Sequence, residues 1–365
     1  MTYQLDGGSG PARRPALNGA DLRRLCQAMP KAELHLHLDG SLRAETALDL
    51  ARTRGVEAPR DYRGMRASLA APPHGASQAR LLEAFDLPIA LLQDADALER
   101  VAAELVEDKA ADRVRYLEIR WGPLLHVSGG LGLEDGIAAV CRGANRAARR
   151  TGVEVRLICT ALRSHEAAEN VRLAGAAAHF VGRGLVGFDL AGPEEAFPDP
   201  LVHRAAFEAA RDAGLHITLH AGEWGGAGQV RRALALRPER IAHGPGSVDD
   251  LDLCGELIRR GIALDLCPTS NVQAGIVASR ADHPLPTLHR RGVPVTLSSD
   301  DLTVSDVTLS EEYVGLVEEA GLTLPELWEI NRRALDVAFA ERPALDRLTA
   351  EFRAWGAGIP ELRQP

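Results

Sequence analysis

Short apolar runs recur along the chain, separated by stretches whose apolar residues repeat with helical period. Runs of strand length occupy residues 32–38, 115–121, 154–160, 185–190, 215–220, 240–243, 262–267 and 293–299. Between them, stretches such as 97–109 place Leu98, Val101, Ala102, Leu105 and Val106 on one helical face. Asp94 and Asp96 precede that face as candidate caps. Residues 207–213, 228–236 and 251–260 repeat the pattern, and Gly152, Gly184, Gly214, Gly261 and Gly292 stand where a helix must stop before the next strand. Alternation of this kind predicts parallel βαβ units, and eight of them predict an α/β fold closed as a (β/α)8 TIM barrel. An open dinucleotide-binding sheet is disfavoured, because no Gly-x-Gly-x-x-Gly follows the first strand. Residues 39–114 depart most from even spacing; with Pro72, Pro73, Gly75 and Phe85 they predict a partly helical insertion between the first and second strands that covers the barrel mouth.

Composition narrows this reading. With 365 residues and 45% hydrophobic content, the chain can fill one large core, and nothing in its composition marks an internal linker. The expected organisation is a flexible arm over 1–17, a single domain over 18–355 and a loose tail over 356–365. A formal net charge of -9 argues against a nucleic-acid footprint. The five cysteines include no Cys-x-x-Cys pair, which argues against disulfides and for a reducing cytoplasm. No run approaches the roughly 18 apolar residues of a membrane span, and the N-terminus lacks the apolar centre of a signal peptide.

Chemistry enters through four separated segments. His35 and His37 end the first strand on one face, because strand side chains alternate. His220 ends the fifth strand and is followed by Ala221, Gly222 and Glu223; His243 ends the sixth, and Asp300 and Asp301 follow the eighth. Singly these are weak signals: a strand histidine, a glycine turn, a helix cap. In a barrel all of them fall at the C-terminal rim, where catalytic groups gather. Three imidazoles, a carboxylate and a further carboxylic acid are a zinc ligand set with an open position at which water becomes a nucleophile. His74, His126, His165, His179, His203, His283 and His289 have no partner in the sequence, while His216, on the face of His220, is expected to pack deeper inside the barrel.

The motifs 30–40 (Pro-Lys-Ala-Glu-Leu-His-Leu-His-Leu-Asp-Gly), 187–192 (Gly-Phe-Asp-Leu-Ala-Gly), 220–223 (His-Ala-Gly-Glu), 240–244 (Arg-Ile-Ala-His-Gly), 267–272 (Cys-Pro-Thr-Ser-Asn-Val) and 299–301 (Ser-Asp-Asp) together resemble the adenosine deaminase family of the amidohydrolase superfamily. The resemblance implies hydrolytic deamination of a 6-aminopurine nucleoside, adenosine to inosine and ammonia, with a small-molecule substrate and no nucleic-acid or membrane partner. It implies one Zn²⁺ per chain on His35, His37, His220 and Asp300, with His243 orienting the attacking water and helping to take its proton. Glu223 would protonate N1, which requires a carboxyl pKa raised by desolvation. Asp301 would meet N7, the Gly192 N–H would meet N3 where a side chain would crowd the purine, Asp39 would meet the ribose, and Phe85 would line the apolar wall. A single metal is implied because the fourth strand ends without a lysine. Leu302 and Ala242 stand where relatives commonly carry proline and glycine, which leaves open adenine or a derivative such as aminodeoxyfutalosine as substrate. A catalytically inactive purine-binding protein is the alternative of another class; the sequence fixes no oligomeric state.

Overall fold

The computed structural model describes residues 18–362; the expected N-terminal arm lies outside the described residues. Eight strands follow one another in sequence order around a parallel sheet: β1 Lys31–His37, β2 Val114–Trp121, β3 Glu154–Leu162, β4 Leu185–Ala191, β5 His216–His220, β6 Arg240–Ala242, β7 Ala263–Leu266 and β8 Val295–Leu297. Helices connect them. The helix Ala95–Ala111 opens on Asp94, whose side chain accepts the Ala97 N–H, and the helix Leu251–Arg260 stops at Gly261 in the left-handed conformation. The barrel closes just beyond β8: the His37 N–H donates to the Asp300 carbonyl at 2.7 Å, and the Asp300 N–H donates to the His35 carbonyl at 3.2 Å. The fold is a (β/α)8 barrel.

Strands β6 and β8 are three residues long, shorter than the apolar runs suggest. β6 stops directly ahead of His243, whose backbone is left-handed (φ 63°), while β8 ends at Leu297, short of Asp300 (φ 66°), which still bridges to Leu36 of β1. The insertion between β1 and β2 carries the helices Ala44–Arg54, Tyr62–Leu69, Gln78–Leu82, Asp86–Leu91 and Ala95–Ala111. Its Ala71, Ala76, Leu81 and Ala84 form a small apolar cluster with Ala274 and Val304, flanked by Phe85, Trp224 and Ile276. Backbone bonds from Ala71 to Val304 (2.9 Å) and from Ala76 to Gln273 (2.7 Å) fasten it to the loops after β8 and β7. The insertion therefore lies across the C-terminal rim.

The barrel interior is polar and paired. Arg120 and Arg240 are fully buried with Glu118, Asp189 and Asp265. Arg240 pairs with Glu118 and, at 3.0 Å, with Asp265; Arg120 reaches Asp189 at 3.3 Å. Desolvated charges are tolerable only when compensated in this way. His216 departs from expectation. It is exposed at the start of β5, bonded to Glu239 at 2.8 Å and stacked on Phe339 at 4.5 Å. The guanidinium of Arg240, 3.7 Å from the Phe339 ring, already fills the space inside. The expected loose tail is also ordered as far as it is described: the last helix runs Arg342–Ala357, and the turn Pro360–Leu362 buries Leu362. All five cysteines are free and buried, and no helix among the described residues is long and apolar enough to cross a membrane.

Candidate metal centre and active site

Four side chains from three strand ends converge on one point. His37 Nε2 lies 3.3 Å from His35 Nε2, 3.1 Å from His220 Nε2 and 3.4 Å from Asp300 Oδ1, and His35 Nε2 lies 3.0 Å from Asp300 Oδ1. Donor atoms bound about 2.1 Å from one tetrahedral zinc-sized ion would stand about 3.4 Å apart, so the observed spacings fit a single ion. The imidazoles are in the form an ion requires. Burial holds His35 well below the usual histidine range and His37 at about 4, which leaves both neutral. The Nδ1–H of His220 faces the Asp189 carboxylate, 3.0 Å from Oδ2; this bond orients the ring and leaves Nε2 free as a ligand. Burial would raise the Asp189 pKa, but His220 and Arg120 outweigh it and keep the group ionised. Behind Asp300, the buried Glu33 accepts the Ser299 N–H at 3.0 Å and the Lys109 ammonium at 3.0 Å, which clamps the loop after β8.

His243 stands one step outside. Its donor atoms share a 4.8 Å cluster with His35, His220 and Asp300, yet its hydrogen bonds argue against ligation. The Leu285 N–H donates to His283 Nδ1 (3.2 Å), so neutral His283 carries its hydrogen on Nε2 and donates to Asn271 Oδ1 (3.1 Å). The Asn271 amide then donates to His243 Nδ1 (3.2 Å). Burial lowers the His283 and His243 pKa values to about 3, so His243 is neutral and its hydrogen sits on Nε2. That atom faces Glu223 Oε2 at 3.8 Å and Asp300 Oδ2 at 3.7 Å. It presents a donor rather than a lone pair, which favours the set containing His37 over the set containing His243. It also conflicts with the expectation that His243 takes a proton from water in this state.

Glu223 is buried at the same rim. Burial, then the negative charges of Asp300 and Glu194, raise its pKa well above the carboxylate range, which favours the protonated acid. Its loop is held from below by Glu194, whose carboxylate accepts the N–H groups of Gly222 (2.7 Å), Trp224 (3.0 Å) and Gly225 (2.9 Å). Asp301 is also raised, by burial and by Asp300, and its Oδ1 has no partner among the described residues. Gly40 lies against it: a Cβ there would be 1.6 Å from Asp301 Oδ1. Gly192 has φ 103° and space for a methyl group, so its backbone conformation alone demands glycine, apart from any crowding of a ligand. Asp39 lies 4.0 Å from His37 Nδ1 and 3.6 Å from His126 Nε2. Phe85 sits half-buried in the apolar cluster over the mouth. Leu302 donates its N–H to Ser41 Oγ at 3.0 Å, a bond a proline there could not make. Glu194, Asn271, His283 and His126 carry no role in the sequence reading, although Glu194 and His126 both follow strand ends where the rim rule could have flagged them.

A parallel barrel whose rim gathers neutral imidazoles, carboxylates and a buried acid defines a hydrolase of the amidohydrolase type. The adenosine deaminase family model matches residues 30–355, and the chain belongs to that family, as an aminohydrolase. The adenosine deaminase of Mycobacteroides abscessus is 40% identical over 87% of this chain and 92% of its own length. Among solved structures, the adenine deaminase of Arthrobacter aurescens superposes with a TM-score of 0.83 at 28% identity, over 91% of this chain and all of that one. An N6-mAMP deaminase from Arabidopsis gives 0.81 at 29% identity, over 91% and 99%. An amidohydrolase from Burkholderia ambifaria with bound Zn gives 0.84 at 27% identity, over 94% and 95%.

Proposed function

We propose that the protein is a zinc-dependent adenosine deaminase, converting adenosine to inosine and ammonia, with residues 18–355 acting as one catalytic domain. The observation that carries this is a buried Glu223 set beside a four-donor cage in which His37 lies 3.1–3.4 Å from the other three donors and His35 lies 3.0 Å from Asp300. His35, His37, His220 and Asp300 would hold one Zn²⁺; the donor spacing fits it, and a neighbouring structure contains bound Zn. Zinc supplies Lewis acidity, making water a nucleophile near neutral pH. The chain's own residues do the rest. His243, through Nε2–H, orients the attacking oxygen. Glu223 holds the proton that N1 of the purine must receive as C6 is attacked, since otherwise charge accumulates on the ring. Asp301, protonated, donates to N7, which can only accept. The Gly192 N–H faces N3, Asp39 takes the sugar, and Phe85 with its cluster excludes water from the mouth. Adenosine is preferred over adenine or N6-mAMP because the 40% relative is named for adenosine, whereas the relatives named for the other two stand at 28% and 29%. Five buried thiols accord with a reducing cytoplasm.

The test is the absorbance change of adenosine on pure protein, with and without a chelator, beside Glu223→Gln. The variant is expected to keep its metal, counted by elemental analysis, and to lose about 10²- to 10⁴-fold in kcat. Full activity in the variant or in the metal-free protein would refute the assignment, and no turnover of any aminopurine by the metal-loaded wild type would favour a binding role.

A further inference from the structure

We propose that an arginine-lined cleft on the outside of the barrel binds a short phosphate chain, inorganic or carried by a nucleotide. The cleft encloses about 540 Å³ between the helices Ala95–Ala111 and Leu133–Thr151 and the segment 180–184 that leads into β4. It reaches the start of β4, whereas the metal cage stands at the opposite ends of the strands. Arg142, Arg146 and Arg149 line it from one stripe of their helix, at i, i+4 and i+7. Arg183 lines the other wall, its guanidinium 5.8 Å from the centre of the Phe180 ring. The Asn145 amide donates to the Arg183 carbonyl at 3.0 Å and ties the two walls together. The floor is fixed as well: a Cβ at Gly143 would stand 2.1 Å from the Glu99 carbonyl oxygen, so the two helices meet backbone to backbone.

The charges in the cleft do not balance. Glu99 is the one carboxylate that lines it; Glu99 accepts from Arg142 Nε at 2.8 Å and also pairs with Arg146. Arg149 and Arg183 have no carboxylate partner among the described residues, while the next arginine, Arg150, pairs with Glu107 outside the cleft. Four guanidiniums against one carboxylate leave a local charge of +3 in a chain whose formal net charge is -9. Like charges at helical spacing repel, so the stripe is favourable only once an anion joins it. The shape of the stripe selects the anion. A guanidinium fork takes two oxygens of a phosphate at once. Arg142 to Arg149 extends about 10 Å along the helix. A lone phosphate meets part of that length, whereas linked phosphates carry charge along it and reach Arg183 on the facing wall.

The experiment is calorimetric titration of the zinc-loaded protein with inorganic triphosphate, UTP, orthophosphate and citrate. UTP carries no aminopurine and so does not compete for a deaminase site. The proteins are the wild type, Arg149→Glu, Arg183→Glu, Glu99→Gln and Arg259→Glu; Arg259 is exposed on the helix Leu251–Arg260 after β6 and makes the same charge change outside the cleft. Triphosphate and UTP should bind the wild type, and orthophosphate and citrate at least tenfold more weakly. Arg149→Glu and Arg183→Glu should each lose about tenfold or more, the scale of one hydrogen bond between charged groups. Glu99→Gln releases Arg142 and Arg146 and should bind severalfold tighter, a gain that misfolding does not produce. Arg259→Glu should stay within about twofold of wild type, because solvent screens a distant surface charge. Equal affinity for triphosphate and UTP assigns the phosphate chain alone, and tighter UTP adds the nucleoside. No binding of either, citrate binding as tightly as triphosphate, or an equal loss in Arg259→Glu would overturn the proposal. So would binding indifferent to both cleft variants, as expected of phosphate held at the zinc. The deaminase reading stands or falls separately, since the cleft shares no residue with that site.

Discussion

Gly40→Ala should cripple turnover while leaving fold and metal intact, and the size of the effect can be read from the coordinates. A Cβ at residue 40 would sit 1.6 Å from Oδ1, 2.4 Å from Cγ and 2.9 Å from Cβ of Asp301. Rotation about χ1 could move the first two atoms away, but the third is nearly fixed by the backbone. The carboxyl must therefore retreat by about 1.5 Å or more to reach ordinary contact, and displacements of about 1 Å in a positioned group can cost about 10²-fold. Gly40 is absent from the residues with left-handed backbone, so alanine brings no conformational strain, and the cage atoms are not among the close contacts of its new methyl group. The expected outcome is a fall of about 10²-fold in kcat/KM on adenosine, with unchanged zinc content and a melting temperature close to wild type. A double-mutant cycle isolates the cause. If the methyl group acts mainly by evicting the Asp301 carboxyl, Gly40→Ala should cost much less in an Asp301→Ala background, where only the 2.9 Å contact with Cβ remains. Full additivity of the two losses, or a Gly40→Ala enzyme within a few-fold of wild type, would refute the reasoning.

Two further perturbations probe the surroundings. Glu194→Gln turns an amide N–H₂ toward the N–H groups of Gly222, Trp224 and Gly225; it should loosen the loop that carries Glu223 and lower kcat by about ten- to a hundredfold with zinc retained, and an unaltered kcat would show that the loop holds itself. Glu312 is fully buried, and its pKa is pushed up to about 7 by burial, which Arg280 at 3.9 Å and the Thr269 N–H, donating to it at 2.8 Å, only partly oppose. Its unfolded value is near 4.3, so from there to about 7 the unfolded chain releases a proton that the folded chain keeps. The destabilisation from this group therefore grows with pH and levels off above 7. Glu312→Gln should gain stability relative to wild type between pH 5 and pH 8, by a few kcal/mol at most, read from urea midpoints; an equal difference at both pH values would contradict it.

The barrel is legible in the sequence because eight strand-length segments alternate with stretches of helical period, and chain order around such a barrel then follows. The convergence of His35, His37, His220 and Asp300 is legible for the same reason: topology, rather than local sequence, brings strand ends to one rim. What escapes is whatever depends on a single dihedral angle or a remote partner. The stop of β6 comes from left-handed backbone at His243, which ordinary L-residues do not advertise. His216 has the alternation of an inward residue, but it begins its strand and the interior there belongs to Arg240 and Phe339. The hydrogen on His243 is decided by Asn271, His283 and the Leu285 N–H, groups whose relation to it exists only once β6 and β7 are side by side.

Asp300 ties these levels together. Its main chain supplies the two hydrogen bonds that join the end of β8 to β1, and its side chain is the carboxylate of the cage. The residues it bonds through the backbone, His35 and His37, are the ones it meets through the carboxylate at 3.0 and 3.4 Å. Cage geometry and barrel closure are therefore one constraint: a shift of Asp300 that opened the cage would also unpair the seam. The unfavourable φ of 66° at that residue is tolerated because the surrounding structure determines it twice over, and strained backbone collects at functional sites for that reason. Ser299, clamped by Glu33 and Lys109, adds a third hold from outside the seam, so the donor atoms can stand ready before any ion arrives.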